Sequence, residues 1–277
     1  MDSAVIPQNA VILAAGLGSR LRPLTDKRPK PLVEVHGVPI LHNALSHLAS
    51  VGVREATIVV GYRKEEIERS CGLNFAGVEI TYAESSVYER TGSAYSLWLA
   101  RDSLLRGSTL LLEGDVFFEK TALWRLSGQG ADDVAAVAPF DETMSGSAVT
   151  LSPGGDIAEI RLKQSALDLA QEEGPRLFKT LNLFRFSGEA LRRVVVPALD
   201  NLIASGATEA YLEQLLAGLL KRRDLQLAAA RCDHLRWYEI DSEDDLRVAE
   251  NIFAPQLDPC YRNVTAPYRA GWLQGLS

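Results

Sequence analysis

Short apolar runs alternate with amphipathic stretches along the first half of the chain. The runs typical of buried strands are Val11–Ala15, Ala56–Val60, Val78–Ala83, Thr109–Leu112 and Val134–Pro139. A helix is predicted over Pro39–Val51, and another where Ala94, Leu97, Ala100 and Leu104 share one face. Strands that lack polar alternation and are separated by helices predict a mostly parallel sheet covered on both faces. The fold class is therefore α/β.

The pattern changes near residue 145. The segments Ser147–Leu151 and Asp156–Leu162 flank Ser152-Pro153-Gly154-Gly155, which predicts a hairpin. Further strands are predicted at Phe178–Phe186, Leu225–Ala229 and Arg236–Ile240, and further helices at Glu189–Ala204 and Glu209–Leu220. Ser242, with Asp245 three residues later, is the predicted N-cap of a last helix through Phe253. We expect one domain over residues 1–253, with an added lobe, and an extended tail over 254–277.

Composition narrows the class of protein. The 277 residues are 47% hydrophobic and 23% charged, which is typical of a globular domain with a substantial core. The three cysteines, Cys71, Cys232 and Cys260, form no CxxC pair, which argues against a disulfide framework and favours a reducing compartment. No apolar run approaches the roughly 20 residues of a membrane span, and no basic signal segment opens the chain. We therefore expect a cytoplasmic protein without a membrane partner.

The positive charge is concentrated in one segment. The chain has a net charge of −7, yet Arg20, Arg22, Lys27, Arg28 and Lys30 lie close together with Asp26 as the only acid among them. An acidic protein with one such cluster is a poor candidate for nucleic-acid binding. A small, highly charged anion is the better match.

The cluster follows a glycine turn. Gly16 and Gly18 come directly after a predicted strand, where they free the backbone to turn and to present N–H groups to an anion. Neither the third glycine of a dinucleotide fingerprint nor the Gly-Lys-Ser/Thr of a Walker A loop is present. Lys30 stands between Pro29 and Pro31, which hold the backbone extended. The alternative is that the glycines end a strand and that the cations are solvated.

Two aspartates follow predicted strands. Asp115 ends Leu110-Leu111-Leu112-Glu113-Gly114-Asp115, and Asp241 ends Trp237-Tyr238-Glu239-Ile240-Asp241. Sites of parallel sheets gather at the carboxyl ends of strands, and two carboxylates suit Mg²⁺ when phosphates supply its other oxygens. The alternative for Asp115 is a turn or N-cap role. Ser242 can cap the last helix by itself, which leaves Asp241 available.

The segment LAAGLGSRLRPLTDKRPKPLVEVHGVPIL resembles the signature of the sugar-nucleotidyltransferase superfamily. The resemblance implies a single nucleotidyltransferase domain with a Rossmann-like core, a mixed, mostly parallel sheet and a small acceptor-binding lobe. It implies a nucleotide-binding part at about 8–140 and an acceptor-binding lobe at about 141–235. Lys30 and Arg20 are the implied catalytic residues, and Asp115 and Asp241 the implied metal ligands. Nucleotide binding is implied for Leu13, Ala14, Ala15, Gly16, Gly18, Ser19, Arg20, Lys30, Gly61, Tyr62, Thr91 and Ser93, with Glu84 a weaker candidate. Thr91 or Ser93 capping a helix is the alternative.

Later segments resemble one branch of this superfamily. YSLWLARD, from Tyr95, resembles the YSLxLARD stretch of phosphocholine cytidylyltransferases. FKTLNLFRFS, from Phe178, resembles the KTxNIYKFS segment of that branch and of its relatives that act on phosphonates. The resemblance implies acceptor binding by Lys179, Lys163, Asn182 and Tyr95, with a solvent-facing position as the alternative for each lysine. Arg90-Thr91-Gly92-Ser93-Ala94 replaces the asparagine-rich run of the choline enzymes, which argues against choline as the head group.

The leading hypothesis is a Mg²⁺-dependent cytidylyltransferase. It would transfer CMP from CTP to a small phosphonate or phosphate ester, such as 2-hydroxyethylphosphonate, 2-aminoethylphosphonate or a phosphocholine-like acceptor, and release pyrophosphate. An ionised acceptor oxygen would attack in line, so no general base is needed. The alternatives are a sugar-1-phosphate nucleotidyltransferase that makes an NDP-sugar and a non-catalytic nucleotide-binding subunit. We expect a monomer or homodimer.

Overall fold

The computed structural model describes residues 6–127, 130–169 and 176–254. Its strands are β1 (Asn9–Ala14), β2 (Glu34–Val35), β3 (Val38–Pro39), β4 (Glu55–Val60), β5 (Asn74–Phe75), β6 (Val78–Glu84), β7 (Thr109–Glu113), β8 (Val116–Phe118), β9 (Val134–Pro139), β10 (Gly146–Leu151), β11 (Ile157–Gln164), β12 (Phe178–Phe186), β13 (Ala228–Arg231) and β14 (Trp237–Glu239). Beyond Ala254, the predicted tail lies outside the described residues.

The helices are α1 (Leu24–Lys27), α2 (Ile40–Ser50), α3 (Lys64–Cys71), α4 (Ser93–Leu99), α5 (Arg101–Leu104), α6 (Thr121–Ser127), α7 (Ala166–Leu169), α8 (Gly188–Ala190), α9 (Val196–Ala204), α10 (Leu212–Arg222) and α11 (Glu243–Phe253). A π-helical turn, Leu191–Val195, joins α8 to α9. Single 3₁₀ turns lie at Ser19–Leu21, Lys30–Leu32 and Tyr88–Arg90.

One mixed sheet of ten strands forms the centre of the molecule. Its order is β11-β10-β12-β7-β1-β4-β6-β5, and β9 pairs with both β12 and β13. The central strands β7, β1, β4 and β6 are parallel, as the continuous apolar runs predict. Strand β12 is antiparallel to β7 and joins the later strands to the same sheet. The predicted α/β class, with its mixed and mostly parallel sheet, is confirmed.

The strand order fixes where a ligand site can form. From β1 the chain adds β4 and β6 on one side and then returns to add β7 on the other side. The loops that leave β1 and β7 therefore start at the same edge of the sheet and diverge there. Open α/β sheets bind their ligands at such a switch point.

Apolar side chains cover both faces of the sheet. On one face α2 and α6 contribute Leu41, Leu45 and Leu123 to the core, and on the other α4 and α10 contribute Leu97 and Leu216. A third cluster holds α11 under the loop that follows β1; its members include Leu21, Val33, Ile40, Phe117, Ile240 and Phe253. Because burial of these side chains is the main stabilising term, this cluster fixes the segments around Lys30 and Asp241 relative to each other.

Several predicted elements differ from the observed ones. The predicted helix through Ala94 and Leu104 is two helices, α4 and α5, and the helix predicted at Glu189–Ala204 contains the π-helical turn. The predicted strand Arg236–Ile240 is β14, which pairs with β8 as a separate antiparallel ribbon outside the main sheet. Strand β13 begins at Ala228 rather than at Leu225, because residue 228 is the first to pair with β9. Helix α10 begins at Leu212 rather than at Glu209, because the backbone of Glu209 and Ala210 packs against Gly92 instead.

Candidate active site

Two glycines bring the ends of three parallel strands together. A Cβ atom on Gly61, after β4, would lie 2.7 Å from the carbonyl oxygen of Ala15. A Cβ atom on Gly114, after β7, would lie 2.7 Å from the carbonyl oxygen of Leu13. The backbone N–H of Gly114 donates to that same oxygen at 2.8 Å. Only glycine permits this close approach, so the predicted loop that follows β1 leaves the sheet between Gly61 and Gly114.

Gly18 supports the side chain of Lys30. Its φ of +64° is in the left-handed region, and a Cβ atom there would lie 2.8 Å from the Cβ atom of Lys30. The hydroxyl of Thr25 donates to the Gly18 carbonyl at 2.9 Å, which closes the loop. Gly16, in contrast, is exposed, and a Cβ atom on it would meet nothing within 4 Å. The second glycine of the predicted motif therefore has a packing role, whereas the first leaves the backbone open.

The predicted lysine and both predicted aspartates meet at one point. The Lys30 ammonium donates to Asp115 Oδ2 at 2.8 Å and to Asp241 Oδ1 at 2.6 Å. Arg20 reaches the same group, since its Nη2 atom lies 2.9 Å from Asp241 Oδ2. The Lys30 side chain is 13% exposed, whereas that of Arg20 is 70% exposed. Residues separated by more than 200 positions thus form one cluster at the switch point.

The β8–β14 ribbon brings the two aspartates together. Val116 pairs with Glu239 in this ribbon, and the N–H of Ile240 donates to the carbonyl of Asp115 at 2.9 Å. Asp115 precedes β8 and Asp241 follows β14, so the antiparallel pairing places them side by side. Asp241 thus follows a strand and lies near Asp115, as predicted, but its strand belongs to the ribbon and not to the main sheet.

Ser242 caps α11, as the sequence predicts. Its hydroxyl oxygen accepts a hydrogen bond from the N–H of Asp245 at 3.2 Å. The Asp245 carboxylate in turn accepts from the N–H of Asp241 at 3.1 Å. Asp241 does not cap the helix, and its carboxylate is directed to Lys30 and Arg20.

The charges in this cluster stabilise one another. Burial opposes the charge of Lys30, but Asp115 and Asp241 outweigh it and raise the pKa of the lysine above its ordinary value. Burial likewise opposes ionisation of Asp241, and attraction to Lys30 and Arg20 lowers its pKa below the usual range all the same. The ammonium and the Asp241 carboxylate are therefore both ionised near neutral pH.

One atom of the cluster is suited to a metal ion. Asp115 Oδ1 is buried and has no hydrogen-bond partner. A buried carboxylate oxygen without a donor is costly unless a cation neutralises it. Within the described residues, no three His, Cys, Asp or Glu side chains are grouped to hold a metal ion. Two carboxylates nevertheless fit Mg²⁺, which keeps few protein ligands when phosphates supply the rest.

A second buried lysine lies next to this cluster. Lys179 of β12 is 5% exposed, lies 2.8 Å from Glu239 Oε2, and donates to the carbonyl of Ser145 at 2.9 Å. Asn182 donates to Glu239 Oε1 at 3.0 Å. The solvent-facing alternative for Lys179 is therefore wrong, because the ammonium is buried and paired. The side chain of Lys163 is exposed, which agrees with the solvent-facing alternative for that residue.

Sequence reasoning missed three glutamates around the two lysines. Burial, with repulsion from Glu213 and Asp115, raises the pKa of Glu113 well above its ordinary value. Burial also raises the pKa values of Glu213 and Glu239, against the attraction of Lys179. The signal was present for two of them, because Glu113 and Glu239 each precede a predicted aspartate by two residues. Each of these two glutamates is the last residue of its strand, so it lies at the strand end that the aspartate follows.

The remaining predicted residues have structural contacts. The hydroxyl of Thr91 donates to the carbonyl of Val87 at 3.1 Å, and that of Ser93 accepts from the N–H of Leu212 at 2.8 Å. Neither caps α4, whose N-cap is Gly92, so the capping alternative is wrong. The hydroxyl of Tyr62 donates to the carbonyl of Thr25 at 2.9 Å and so holds the loop after β1.

Three further candidates have these positions. Ser19 is exposed and begins a 3₁₀ turn, Tyr95 is half-buried on α4, and Glu84 pairs with Lys64 at the surface.

The fold is an α/β domain that carries a glycine turn, a lysine and two carboxylates at its switch point, where open α/β sheets bind their ligands. The family model described as Nucleotidyl transferase matches residues 9–140. This part of the chain is thus similar to the nucleotidyltransferase family, and the proteins similar to the chain include phosphonate and choline-phosphate cytidylyltransferases.

Two curated relatives and one solved structure illustrate the similarity. CMP-5'-(3-aminopropyl)phosphonate synthase of Streptomyces rubellomurinus is 37% identical over 254 residues, which are 90% of this chain and 39% of that protein. The 2-aminoethylphosphonate cytidylyltransferase of Lancefieldella rimae is 32% identical over 159 residues, which are 53% of this chain and 61% of that protein. The chain thus spans less than two thirds of the length of either relative.

The solved structure of CTP:phosphocholine cytidylyltransferase from Streptococcus pneumoniae has the same fold. The TM-score is 0.69 at 22% sequence identity, over 88% of this chain and 98% of that one.

Among the described helices, none has the length and apolar character needed to cross a membrane.

Proposed function

We propose that this chain transfers CMP from CTP to a small phosphonate or phosphoalcohol and releases pyrophosphate. The observation that carries the proposal is the position of the Lys30 ammonium between Asp115 and Asp241, beside the loop that follows β1. This arrangement combines a cation for phosphate oxygens with two carboxylates for a divalent ion. Nucleotidyltransferases of this family generally use a divalent metal ion.

The chemistry proposed for the site is charge neutralisation and positioning. Asp115 and Asp241 would hold Mg²⁺, which when bound neutralises charge on the phosphate oxygens. Lys30 and Arg20 add positive charge on the same side. An ionised acceptor oxygen forms a bond to the α-phosphorus as the bond from that phosphorus to the bridging oxygen breaks, and pyrophosphate leaves with the electron pair. No proton needs to be removed, which explains why the described site has no nucleophile–base pair.

The three glutamates around the two lysines support an acceptor with a positively charged head group. Glu113 and Glu213 are carboxylates held in surroundings that raise their pKa values, so an ammonium nearby would stabilise their ionised forms. Lys179 and Asn182 both contact Glu239, the third of these glutamates. They are the proposed partners of the acceptor's anionic end. Two relatives carry names that specify aminoalkylphosphonates, which supports the same acceptor class.

A panel of substrates tests the proposal. Pyrophosphate release is measured with each of the four nucleoside triphosphates against 2-aminoethylphosphonate, 3-aminopropylphosphonate, 2-hydroxyethylphosphonate, phosphocholine and glucose-1-phosphate. We expect turnover with CTP and an aminoalkylphosphonate, and ³¹P NMR should show the phosphonate–phosphate anhydride. Turnover of glucose-1-phosphate with UTP or dTTP alone would contradict the proposal. Nucleotide binding without turnover on any acceptor would favour a non-catalytic subunit.

A further inference from the structure

The oxygens of Asp115 and Asp241 are almost all occupied by basic side chains. Asp241 Oδ1 accepts from Lys30 at 2.6 Å, and its Oδ2 pairs with Arg20 at 2.9 Å. Asp115 Oδ2 accepts from Lys30 at 2.8 Å. Only Asp115 Oδ1, among these four oxygens, has no partner. A divalent ion that binds both carboxylates must therefore share or replace a contact of Lys30 or Arg20.

Sharing is electrostatically unfavourable. Mg²⁺ binds carboxylate oxygens at roughly 2.0–2.1 Å, and Lys30 already lies within hydrogen-bond distance of both carboxylates. A divalent ion and an ammonium only a few ångströms apart repel strongly in a partly buried site. The two carboxylates in direct contact with Lys30 carry less charge than the ion, Lys30 and Arg20 together. Phosphate oxygens that enter with the metal ion would supply further negative charge at these contacts.

The two basic residues differ in how readily they can move aside. The Arg20 side chain is 70% exposed, so it can leave Asp241 for solvent at little energetic cost. Lys30 is 13% exposed, and its stem packs against Gly18 in a loop closed by Thr25. Its ammonium can leave the carboxylates only for another anion within reach.

We propose that Lys30 acts as an internal cation that excludes free divalent metal ions from Asp115 and Asp241. The triphosphate admits the metal, because its oxygens take over the Lys30 ammonium and leave the carboxylates to the divalent ion. This inference rests on the proposed function for the identity of the triphosphate. It assigns Lys30 a second task, since the residue would couple metal binding to nucleotide binding.

Titration of the nucleotide-free protein with Mn²⁺, followed by electron paramagnetic resonance, tests this coupling. We expect weak Mn²⁺ binding by the wild-type protein and roughly tenfold or tighter binding by Lys30→Met, because one positive charge has been removed from the site. Lys27→Met is the matched control, because Lys27 is an exposed lysine at the end of α1, three residues before Lys30; it should keep the wild-type affinity. Lys30→Met combined with Asp241→Asn should lose the gain.

Thermal unfolding provides a second readout that does not depend on metal affinity alone. Lys30→Met leaves Asp115 without its counter-ion and Asp241 with Arg20 alone, so the variant should unfold at a lower temperature than wild type. Mn²⁺ without nucleotide should raise its unfolding temperature by more than that of wild type. Lys30→Gln, which retains a hydrogen-bond donor, should show the same effect if Lys30→Met folds poorly.

The outcomes separate this inference from the proposed function. Equal or weaker Mn²⁺ binding by both Lys30 variants would overturn the inference, as would tight binding by the nucleotide-free wild type. The titration contains neither nucleotide nor acceptor, so it does not depend on which substrates the enzyme uses. Loss of all turnover in the substrate panel would instead count against the proposed function.

Discussion

Asp115 and Asp241 share one ammonium, so the two carboxylates behave as a unit. Lys30 contacts both at hydrogen-bond distance, and the three side chains are 13–24% exposed. In such a group, removal of one partner changes the charge balance of the others. The site is therefore sensitive to isosteric substitutions that remove charge but keep shape.

Asp115→Asn and Asp241→Asn should each reduce pyrophosphate release by about 100-fold or more, because each removes the charge of one of the two proposed metal ligands. Steady-state kinetics with varied Mg²⁺ measures the effect. Asp102→Asn is the matched control, since the Asp102 side chain is 91% exposed and lies away from the cluster. Wild-type rates in Asp115→Asn would mean that the wrong carboxylate has been assigned.

Gly18→Ala should destabilise the protein by about 1–2 kcal/mol, because alanine is strained at a φ of +64°. Its Cβ atom would also lie 2.8 Å from that of Lys30, so the ammonium should shift and turnover should fall. Urea unfolding and pyrophosphate release measure the two effects. For stability, Gly16→Ala is the control, since a Cβ atom there meets nothing within 4 Å. Equal stability losses in both variants would contradict the packing role of Gly18.

At the scale of elements, the β8–β14 ribbon and α11 connect the C-terminal part of the described chain to the switch point. The ribbon places Asp241 beside Asp115, and the next residue, Ser242, is the N-cap of α11. Disturbing the start of this helix should therefore affect both stability and chemistry.

Ser242→Ala should lower the free energy of unfolding by about 1 kcal/mol through loss of the N-cap. Turnover should also fall, because Asp245 then holds the Asp241 backbone without its Ser242 partner. Ser187→Ala removes a comparable cap from α8, so it should lose similar stability yet keep the turnover of the folded enzyme. If the two variants have the same turnover, α11 does not position Asp241.

Gly92→Ala should separate α4 from the segment before α10. A Cβ atom on Gly92 would lie 2.2 Å from the carbonyl oxygen of Ala210, so the two backbones must move apart. We expect a loss of about 2–3 kcal/mol in urea unfolding. Gly107→Ala, where a Cβ atom meets nothing within 4 Å, should change the stability by much less.

The strands of the core could be predicted because each is a continuous apolar run. Val11–Ala15 and Thr109–Leu112 correspond to β1 and β7 within two residues. Strand β8 has three residues, too few for any periodicity, and only its pairing with β14 defines it. Helix α3 buries only Ile67 and Cys71, so its apolar face was too weak a signal.

The sequence predicts one part of the candidate site and misses another. Lys30, Asp115 and Asp241 stand in distinctive local sequences, and the structure brings them together. The pair of Lys179 with Glu239 joins residues 60 positions apart in sequence, a contact that no local pattern encodes. Glu213 enters the site only through the packing of α10 against the sheet.

At the scale of the whole molecule, the buried carboxylates make stability depend on pH. Burial raises the pKa of Glu213 above the ordinary value of a glutamate, against the attraction of Lys179. A carboxyl with a higher pKa in the folded protein binds its proton more tightly there. Its destabilising contribution is absent below the unfolded pKa and grows as the pH rises through the folded pKa.

Glu213→Gln should therefore be more stable than wild type at pH 8 and equally stable at pH 4. Urea unfolding at both values measures the difference. Glu209→Gln serves as the control, because Glu209 is exposed on the neighbouring loop and should change neither value. A variant that is less stable than wild type at pH 8 would show that the Glu213 charge is stabilising.

The position of the metal ion tests the central claim most directly. Crystals grown with CTP and Mn²⁺ give an anomalous-scattering peak at the ion. The account predicts one peak at coordination distance, roughly 2–2.2 Å, from an oxygen of Asp115 and an oxygen of Asp241, with the Lys30 ammonium on a phosphate. A peak among Glu113, Glu213 and Glu239 instead, with Lys30 still between the two aspartates, would contradict it.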